Sequence, residues 1–377
     1  MPPTFLAAVD EIVADVVAPG ADLVDRDGAF PRKAIDALAA AGVLGATVPV
    51  AAGGAGVDLA GAATVVQRLS RACGSTGMVV LMHYAATAVI DAYGDDGTRA
   101  DIGAGHHLST LAFSEAGSRS HFWVPMGTAV PGPADGVLLS ADKSWVTASG
   151  EADSYVWSSR PLGGTGPMTL WLVPSRAPEL AVAGDFDGLG LRGNASRPVR
   201  GRDVAVPASA MLGADGAGLD IALTAVLPWF LVLNAAFSLG LMRAALDEAV
   251  GHLGRTRLAH LNQSLADQPL TRQDVGRMRI SVDRTAALLD TVLAALAGGR
   301  DDATALLLEV KAEAAEAAVE VTDLAMKACG GAAFRRELGI ERRFRDARAA
   351  RVMAPTTDRL VDMVGRITCG MPLLDGS

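Results

Sequence analysis

The chain has 377 residues, of which half are hydrophobic and 20% are charged, and its formal net charge is −9. This length is enough for two or three structural domains, and an acidic balance without a long basic run argues against nucleic acid as the main partner. The three cysteines, Cys73, Cys329 and Cys369, lack metal-ligand spacing and are odd in number. We therefore predict a reduced cytoplasmic protein without a disulfide framework or a metal site.

The first third of the chain is rich in Ala and Leu at helical spacing. Residues 1–18 contain several acidic side chains and favour an amphipathic helix over a signal peptide. Residues 27–31 break this helix, and residues 48–56 form a Gly-rich turn that lacks the spacing of a dinucleotide-binding motif. Further helices are predicted over residues 59–72 and 79–93, the second of which contains His83.

Between about residues 108 and 212 the pattern changes to short β-type runs separated by Gly and Pro. The first of two motifs in this region, residues 114–120, reads Ser-Glu-Ala-Gly-Ser-Arg-Ser. Small residues allow a ligand close to the backbone, and hydroxyls beside exposed N–H groups can hold phosphate oxygens or ring carbonyls. A strand that ends in a polar turn is the alternative interpretation.

The second motif, residues 143–147, reads Lys-Ser-Trp-Val-Thr. Trp145 and Thr147 are two positions apart, so on a strand their side chains face the same side. An indole and a hydroxyl placed together could cover a flat aromatic cofactor and hydrogen-bond its polar edge. The alternative is a core Trp with a locally paired Thr147.

The last part of the chain returns to a helical pattern. Residues 221–242 carry no charge and reach the length of a membrane span. Pro228, Asn234 and Ser238 within this run favour a buried helix, so we predict no membrane span. Residues 304–329 place apolar side chains at steps of three and four, and Gly330-Gly331 would end that helix.

The two motifs, in this order between helical regions, resemble the acyl-CoA dehydrogenase superfamily of FAD enzymes. The middle domain of that superfamily carries T/S-E-P-x-x-G-S-D and then K-x-W-I-T-N. Residues 329–334 and 345–348 are similar to its G-G-x-G-F/Y and R-D-A-R/K segments. The resemblance implies a multi-domain α+β fold: an N-terminal α-helical domain (1–107), a middle β-barrel or sandwich domain (108–212) and a C-terminal four-helix bundle domain (213–377).

The resemblance also implies FAD as the cofactor and assigns contacts to it. Ser114 would contact the isoalloxazine ring, Ser120 a cofactor phosphate, and Trp145 and Thr147 the face and edge of the ring. The Gly pair would lie near the cofactor of a neighbouring subunit, which implies a homodimer or homotetramer. Arg119 and His121 stand where the family motif has Gly and Asp, and these larger side chains would narrow the entrance to the substrate site. The implied cofactor-binding residues are Phe113, Ser114, Ser120, Trp145, Thr147, Gly330, Gly331, Thr356 and Asp358.

The sequence departs from this family at the proton acceptor. The family continues with I-Y-E-G-T, whose Glu removes the substrate α-proton, whereas residues 352–356 read Val-Met-Ala-Pro-Thr. Ala354 therefore stands at the usual base position and cannot accept a proton. The alternative base position of some members falls near Phe230, again without an acid. The remaining candidates for a base are His83, Glu115, His121, His260 and Asp358, the last better explained as cofactor support.

Three functions are compatible with a flavin-binding site in which the family's catalytic base is missing. The first is an FAD-dependent oxidoreductase that passes hydride to flavin N5 from a non-standard small-molecule or thioester-tethered substrate rather than an ordinary fatty acyl-CoA. The second is a flavin-dependent monooxygenase that hydroxylates nitrogen, sulfur or carbon with reduced flavin and O₂. The third is a non-catalytic partner subunit of a heteromeric dehydrogenase. An ordinary acyl-CoA dehydrogenase with an unrecognised base stays open.

Overall fold

The computed structural model describes residues 3–118 and 121–374. The chain divides into two compact units, which we describe separately. The first unit comprises Met1–Val65, Ser75–Gly188 and Arg192–Phe230, and the second comprises Val66–Gly74, Leu189–Leu191 and Leu231–Ser377.

The N-terminal third is helical, as the sequence predicts. Gly28 has a φ of +63°, a conformation that suits glycine, and it ends the second helix at the predicted break. The fifth helix begins at Gly74, five residues before the predicted start, because burial of this Gly- and Ser-containing stretch outweighs its poor helix propensity. The helices are α1 (Pro3–Ile12), α2 (Ala18–Asp27), α3 (Arg32–Ala40), α4 (Leu59–Ala72), α5 (Gly74–Tyr93) and α6 (Asp96–Gly103).

Two four-stranded sheets follow, both in the first unit. One has the order β1-β4-β5-β8, in which β1 and β4 run parallel, and the other has the order β2-β3-β7-β6 with antiparallel pairs. Trp157 faces Trp171 across the β4–β5 pair, and both are fully buried in the core. The strands are β1 (Ser109–Ala112), β2 (Thr128–Pro131), β3 (Val137–Val146), β4 (Ser154–Ser159), β5 (Thr169–Pro174), β6 (Leu180–Val182), β7 (Arg197–Val206) and β8 (Met211–Leu212).

Strand β3 does not continue regularly to Thr147, so the predicted common face for Trp145 and Thr147 is wrong. The register of β3 against β7 shifts between Lys143 and Val146, and Trp145 has a φ of +56°. Such a bulge breaks the two-residue alternation of side chains. As a result Trp145 is 67% exposed, whereas Thr147, beyond the end of the strand, is 2% exposed.

The remaining elements are helical apart from one short ladder. Helix α10 packs against α9 and α13 and buries the predicted apolar stripe, which includes Leu307, Val310 and Ala314. It ends at Cys329, and Gly330 has a φ of +57°. The elements are α7 (Gly218–Ile221), α8 (Leu227–Arg255), β9 (Arg257–Leu258), β10 (Gln263–Ser264), α9 (Pro269–Ala297), α10 (Ala303–Cys329), α11 (Ile340–Asp346), α12 (Ala349–Val352) and α13 (Thr357–Thr368).

The uncharged run of the sequence lies within a continuous helical stretch, Gly218–Arg255. Its length and composition alone would allow it to cross a membrane. However, 72% of its most apolar window is buried inside the structure, as is usual for the core helix of a folded domain.

Candidate functional site

Backbone pairing in the first unit brings the two sequence motifs side by side. The Ser144 N–H donates to the Ser114 carbonyl at 2.9 Å, and Glu115 and Lys143 form an antiparallel bridge. The turn that carries Ser114 is therefore joined to the end of β3, one residue before Trp145. Chain positions about 30 apart form a single polar edge beside an exposed indole.

A buried ion pair connects the same two motifs. The Lys143 ammonium lies 2.7 Å from the Glu115 carboxylate, with the two side chains 0% and 2% exposed. The ammonium also donates to the Ser158 carbonyl at 2.6 Å and its hydroxyl at 2.9 Å. The second carboxylate oxygen of Glu115 accepts the N–H groups of Met126 and Gly127 at 2.6 and 3.0 Å.

These contacts assign Glu115 a structural role instead of the catalytic one considered from the sequence. Burial lowers the pKa of Lys143 to about 8, although the neighbouring carboxylate opposes that shift. The Glu115 carboxylate is already used by the ammonium and two backbone N–H groups. We therefore do not retain Glu115 as a candidate base.

Trp145 presents a large apolar ring to solvent, in contrast to the buried Trp157 and Trp171. An exposed indole on an irregular strand end offers a face on which a planar ring can stack. The hydroxyl of Thr147 lies 3.1 Å from the Ser196 hydroxyl, and either oxygen can be the donor.

The turn before β2 carries the other predicted cofactor contacts. Phe113 and Ser114 are half-buried, and the Phe113 ring stacks at 6.5 Å on Phe122. Within the described ranges 3–118 and 121–374, the Ser114 hydroxyl forms no hydrogen bond, so it can serve a ligand. Ser120 lies outside the described residues, and its contact to a cofactor phosphate stays a prediction.

His83 is fully buried, and both of its ring nitrogens have partners. The Ser109 N–H donates to Nδ1 at 3.1 Å, so Nε2 carries the proton and donates to the Leu44 carbonyl at 3.0 Å. Burial lowers the pKa of His83 to about 4. This histidine is a neutral structural link and is not placed to accept a substrate proton.

The other two histidine candidates are exposed. Nδ1 of His121 lies 3.1 Å from the Ser118 carbonyl, and its ring packs edge-on against Trp123 at 5.0 Å. His260 lies in the turn between β9 and β10 of the second unit. The alternative base position at Phe230 is a buried apolar side chain, 6% exposed.

In the second unit, a lysine that the sequence analysis missed binds the turn around Ala354, the residue that the resemblance aligns with the family base. Ala354 is half-buried between Met353 and Pro355. The Lys311 ammonium donates to the carbonyls of these two neighbours at 3.0 and 2.8 Å and to that of Ala350 at 2.6 Å. Burial lowers the pKa of Lys311 to about 7. The sequence contained one indication of this role, because Lys311 lies within the apolar stripe of α10, where a charged residue is unusual.

The remaining predicted residues of the second unit lie at helix termini. Thr356 directly precedes α13, and Asp358 is exposed in the first turn of that helix. Gly330 and Gly331 follow α10, near Phe334, which is 83% exposed. The Asp346 carboxylate accepts the Leu191 N–H at 2.6 Å, so it supports the fold of this unit.

Comparisons with known proteins cover both ends of the chain and nearly its full length. Residues 4–102 match the acyl-CoA dehydrogenase N-terminal domain, and residues 216–368 match the acyl-CoA dehydrogenase C-terminal domain. The short-chain specific acyl-CoA dehydrogenase of Bos taurus mitochondria is 28% identical over 352 residues, covering 90% of this chain and 83% of that protein.

The chain belongs to the acyl-CoA dehydrogenase superfamily. Cyclohex-1-ene-1-carbonyl-CoA dehydrogenase of Geobacter metallireducens is 26% identical over 381 residues, covering 98% of this chain and 97% of the relative. The structure of butyryl-CoA dehydrogenase from Megasphaera elsdenii superposes with a TM-score of 0.91 at 20% identity, covering 97% of each chain. This superposition confirms the predicted α+β fold class; the domain boundaries stay a prediction.

Members of this superfamily are FAD-dependent oxidoreductases, and FAD is the cofactor of this chain. The described residues of the first unit fit such a group, since an exposed indole lies beside a hydroxyl that no internal hydrogen bond uses. A cavity of about 290 Å³ lies elsewhere, against Val137 and Pro207 at the opposite end of β3 from Trp145, and its lining holds no titratable side chain.

Proposed function

We propose that this enzyme of the acyl-CoA dehydrogenase superfamily oxidises a substrate other than an ordinary fatty acyl-CoA. The observation that carries the proposal is Ala354, a half-buried alanine at the position that the resemblance aligns with the family's base. General base catalysis is worth roughly 10²–10⁴-fold in rate, so a thioester whose α-proton must be removed would react slowly. A substrate with a more acidic C–H bond, or with an already activated C–H or N–H bond, avoids this loss.

The chain's own residues would bind and orient the cofactor. Trp145 would stack on the flavin ring, and Ser114 would hydrogen-bond its polar edge. The family resemblance also assigns Thr147, Thr356 and Asp358 to flavin binding. When bound, FAD supplies a two-electron acceptor. The exposure of Trp145, and the Ser114 hydroxyl that forms no hydrogen bond within the described residues, support the first two assignments.

The substrate class is best tested against thioesters and amines. The Geobacter relative, by its name, acts on a cyclic carbonyl-CoA, which supports a thioester-tethered substrate that is not a simple fatty acyl chain. Anaerobic bleaching of the flavin would be followed with butyryl-CoA, a cyclic carbonyl-CoA and a set of amines. We expect slow bleaching with butyryl-CoA and fast bleaching with an activated substrate; fast bleaching with butyryl-CoA would reject the proposal.

A flavin monooxygenase is the second candidate, because such an enzyme needs no α-proton base at position 354. The exposed His121, close to the turn that carries Ser114, would give its pocket a polar group. Incorporation of ¹⁸O from labelled O₂ into a product, with consumption of reduced flavin, would favour this function over dehydrogenation.

The third candidate, a non-catalytic subunit, and the oligomeric state can be tested on the purified chain. A folded but colourless protein that takes up no FAD would favour the non-catalytic subunit. Exposed apolar side chains of the second unit support self-association into a homodimer or homotetramer, which light scattering would measure. Those side chains are Leu270, Ile280, Phe334 and Val352.

A further inference from the structure

Lys311 has a completely satisfied ammonium group in the interior of the second unit. The side chain is fully buried on α10, and its three N–H donors match three carbonyl acceptors, those of Ala350, Met353 and Pro355. The acceptors span the end of α12 and the turn that follows it. One cation thus gathers three peptide groups from a segment about 40 residues further along the chain.

This segment has little regular secondary structure of its own. Helix α12 has four residues, a length that is unstable in isolation, and the carbonyls at its end lack helical partners. Pro355 has no N–H group to donate. The ammonium therefore supplies hydrogen bonds that the backbone of the turn does not provide itself.

The cation is not held there by an ion pair. Among the described residues, no carboxylate lies within ion-pair distance of the Lys311 ammonium. Glu316, on the same helix, attracts it at longer range but pairs directly with Arg351 at 2.8 Å. Burial of a charge without a direct ion pair is costly, and here it is offset by three backbone carbonyls together with the longer-range attraction of Glu316.

We propose that Lys311 is the positioning residue of the turn at residues 350–355, and that through this turn it sets the places of Ala354, Thr356 and Asp358, which the proposed function assigns to catalysis and flavin binding. The second half of this statement rests on the proposed function. The three bonded carbonyls include those on either side of Ala354, so the ammonium determines where side chain 354 points. The ammonium also binds the carbonyl of Pro355, and this fixes the point from which the chain continues to Thr356 and Asp358.

The test compares Lys311→Met, which removes all donors at similar length, with Lys311→Gln, which keeps two uncharged N–H donors. Lys327→Met on the same helix is the control, because Lys327 is 64% exposed and pairs with Asp274 at 3.0 Å. Amide hydrogen exchange would be measured over residues 350–358 and over α10, together with the FAD dissociation constant and the visible spectrum of the bound flavin.

We expect exchange over residues 350–358 to accelerate by roughly tenfold to a hundredfold in Lys311→Met and by less in Lys311→Gln, while α10 keeps its protection. FAD should bind roughly tenfold more weakly to Lys311→Met, with an altered flavin band, and Lys327→Met should match the wild type. Unchanged exchange in the turn, or equal acceleration throughout α10, would overturn the positioning role. If Lys311→Met does not fold, the Lys311→Gln variant decides: exchange in its turn as slow as in the wild type would also overturn the positioning role.

The exchange measurement does not depend on the flavin. A wild-type protein that binds no FAD would reject the proposed function, while graded exchange in the turn would still support the positioning role. Conversely, accelerated exchange without any change in FAD affinity or spectrum would reject the link between this turn and the flavin.

Discussion

The Lys143 ammonium and the Glu115 carboxylate meet at 2.7 Å inside the first unit and join the two motifs that would form the flavin site. Both side chains are buried, and their remaining hydrogen-bonding groups are used by Ser158, Met126 and Gly127. Because neither group has access to water, removal of one partner would leave the other buried without its ion pair.

Lys143→Met should lower the free energy of unfolding by about 3–5 kcal/mol, since it leaves the Glu115 carboxylate buried without its partner. The double variant with Glu115→Gln should recover part of that loss. Denaturant titration measures both effects. Lys33→Met, at an exposed lysine, should change the free energy of unfolding by no more than about 0.5 kcal/mol and serves as the control. Equal losses of unfolding free energy in the two lysine variants would contradict the stabilising role of the buried Lys143–Glu115 pair.

His83 should make the protein less stable in mild acid. Its pKa is about 4 in the folded state against 6.5 as the ordinary value, so the unfolded state binds the extra proton between these pH values. The free energy of unfolding should therefore fall by about 3 kcal/mol between pH 7 and pH 4 from this group alone.

The check on His83 is the slope of stability against pH. In His83→Gln this slope should be shallower between pH 6.5 and 4, whatever its stability at pH 7. His121→Gln, at an exposed histidine, should keep the wild-type slope. An unchanged slope in His83→Gln would show that another group governs acid sensitivity.

Trp145→Ala should weaken FAD binding while it leaves folding almost intact. The exposed indole contributes little to the core, so the change in unfolding free energy should stay within about 0.5 kcal/mol. Loss of ring stacking, worth about 0.5–1.5 kcal/mol, should raise the FAD dissociation constant roughly two- to tenfold. In contrast, Trp157→Ala in the core should cost about 3–5 kcal/mol of stability. An unchanged FAD affinity in Trp145→Ala would place the flavin elsewhere.

Ala354→Glu should create a base at the family position. If the turn held by Lys311 presents side chain 354 to the substrate, bleaching of the flavin by butyryl-CoA should accelerate roughly 10²–10⁴-fold over the wild type. Ala354→Gln, of similar size but without a basic group, should show no gain. A gain in both variants would indicate an effect of shape, and a gain in neither would mean that position 354 does not face the thioester.

Local patterns in the sequence were sufficient to order the helical and β regions, and the resemblance to the acyl-CoA dehydrogenase superfamily implied the fold class and the candidate site. Helical spacing and Gly-Pro punctuation distinguished the helical regions from the β region, because these signals depend on residues close together in the chain. The absence of a base at position 354 was also predictable from sequence, since an alanine side chain cannot accept a proton in any fold. The predicted common face of Trp145 and Thr147 was wrong, because a bulge set by pairing with β7 altered the strand end.

Only the tertiary structure decided which titratable groups are structural. Glu115 meets a lysine 28 residues away, His83 a carbonyl 39 residues away, and Lys311 a turn that extends 44 residues away. Burial and hydrogen-bond partners determine whether a carboxylate, imidazole or ammonium can exchange protons with a substrate, and both come from segments that are distant in sequence. The sequence therefore specifies which chemical groups are available, while the packing of remote segments determines which of them are free to act.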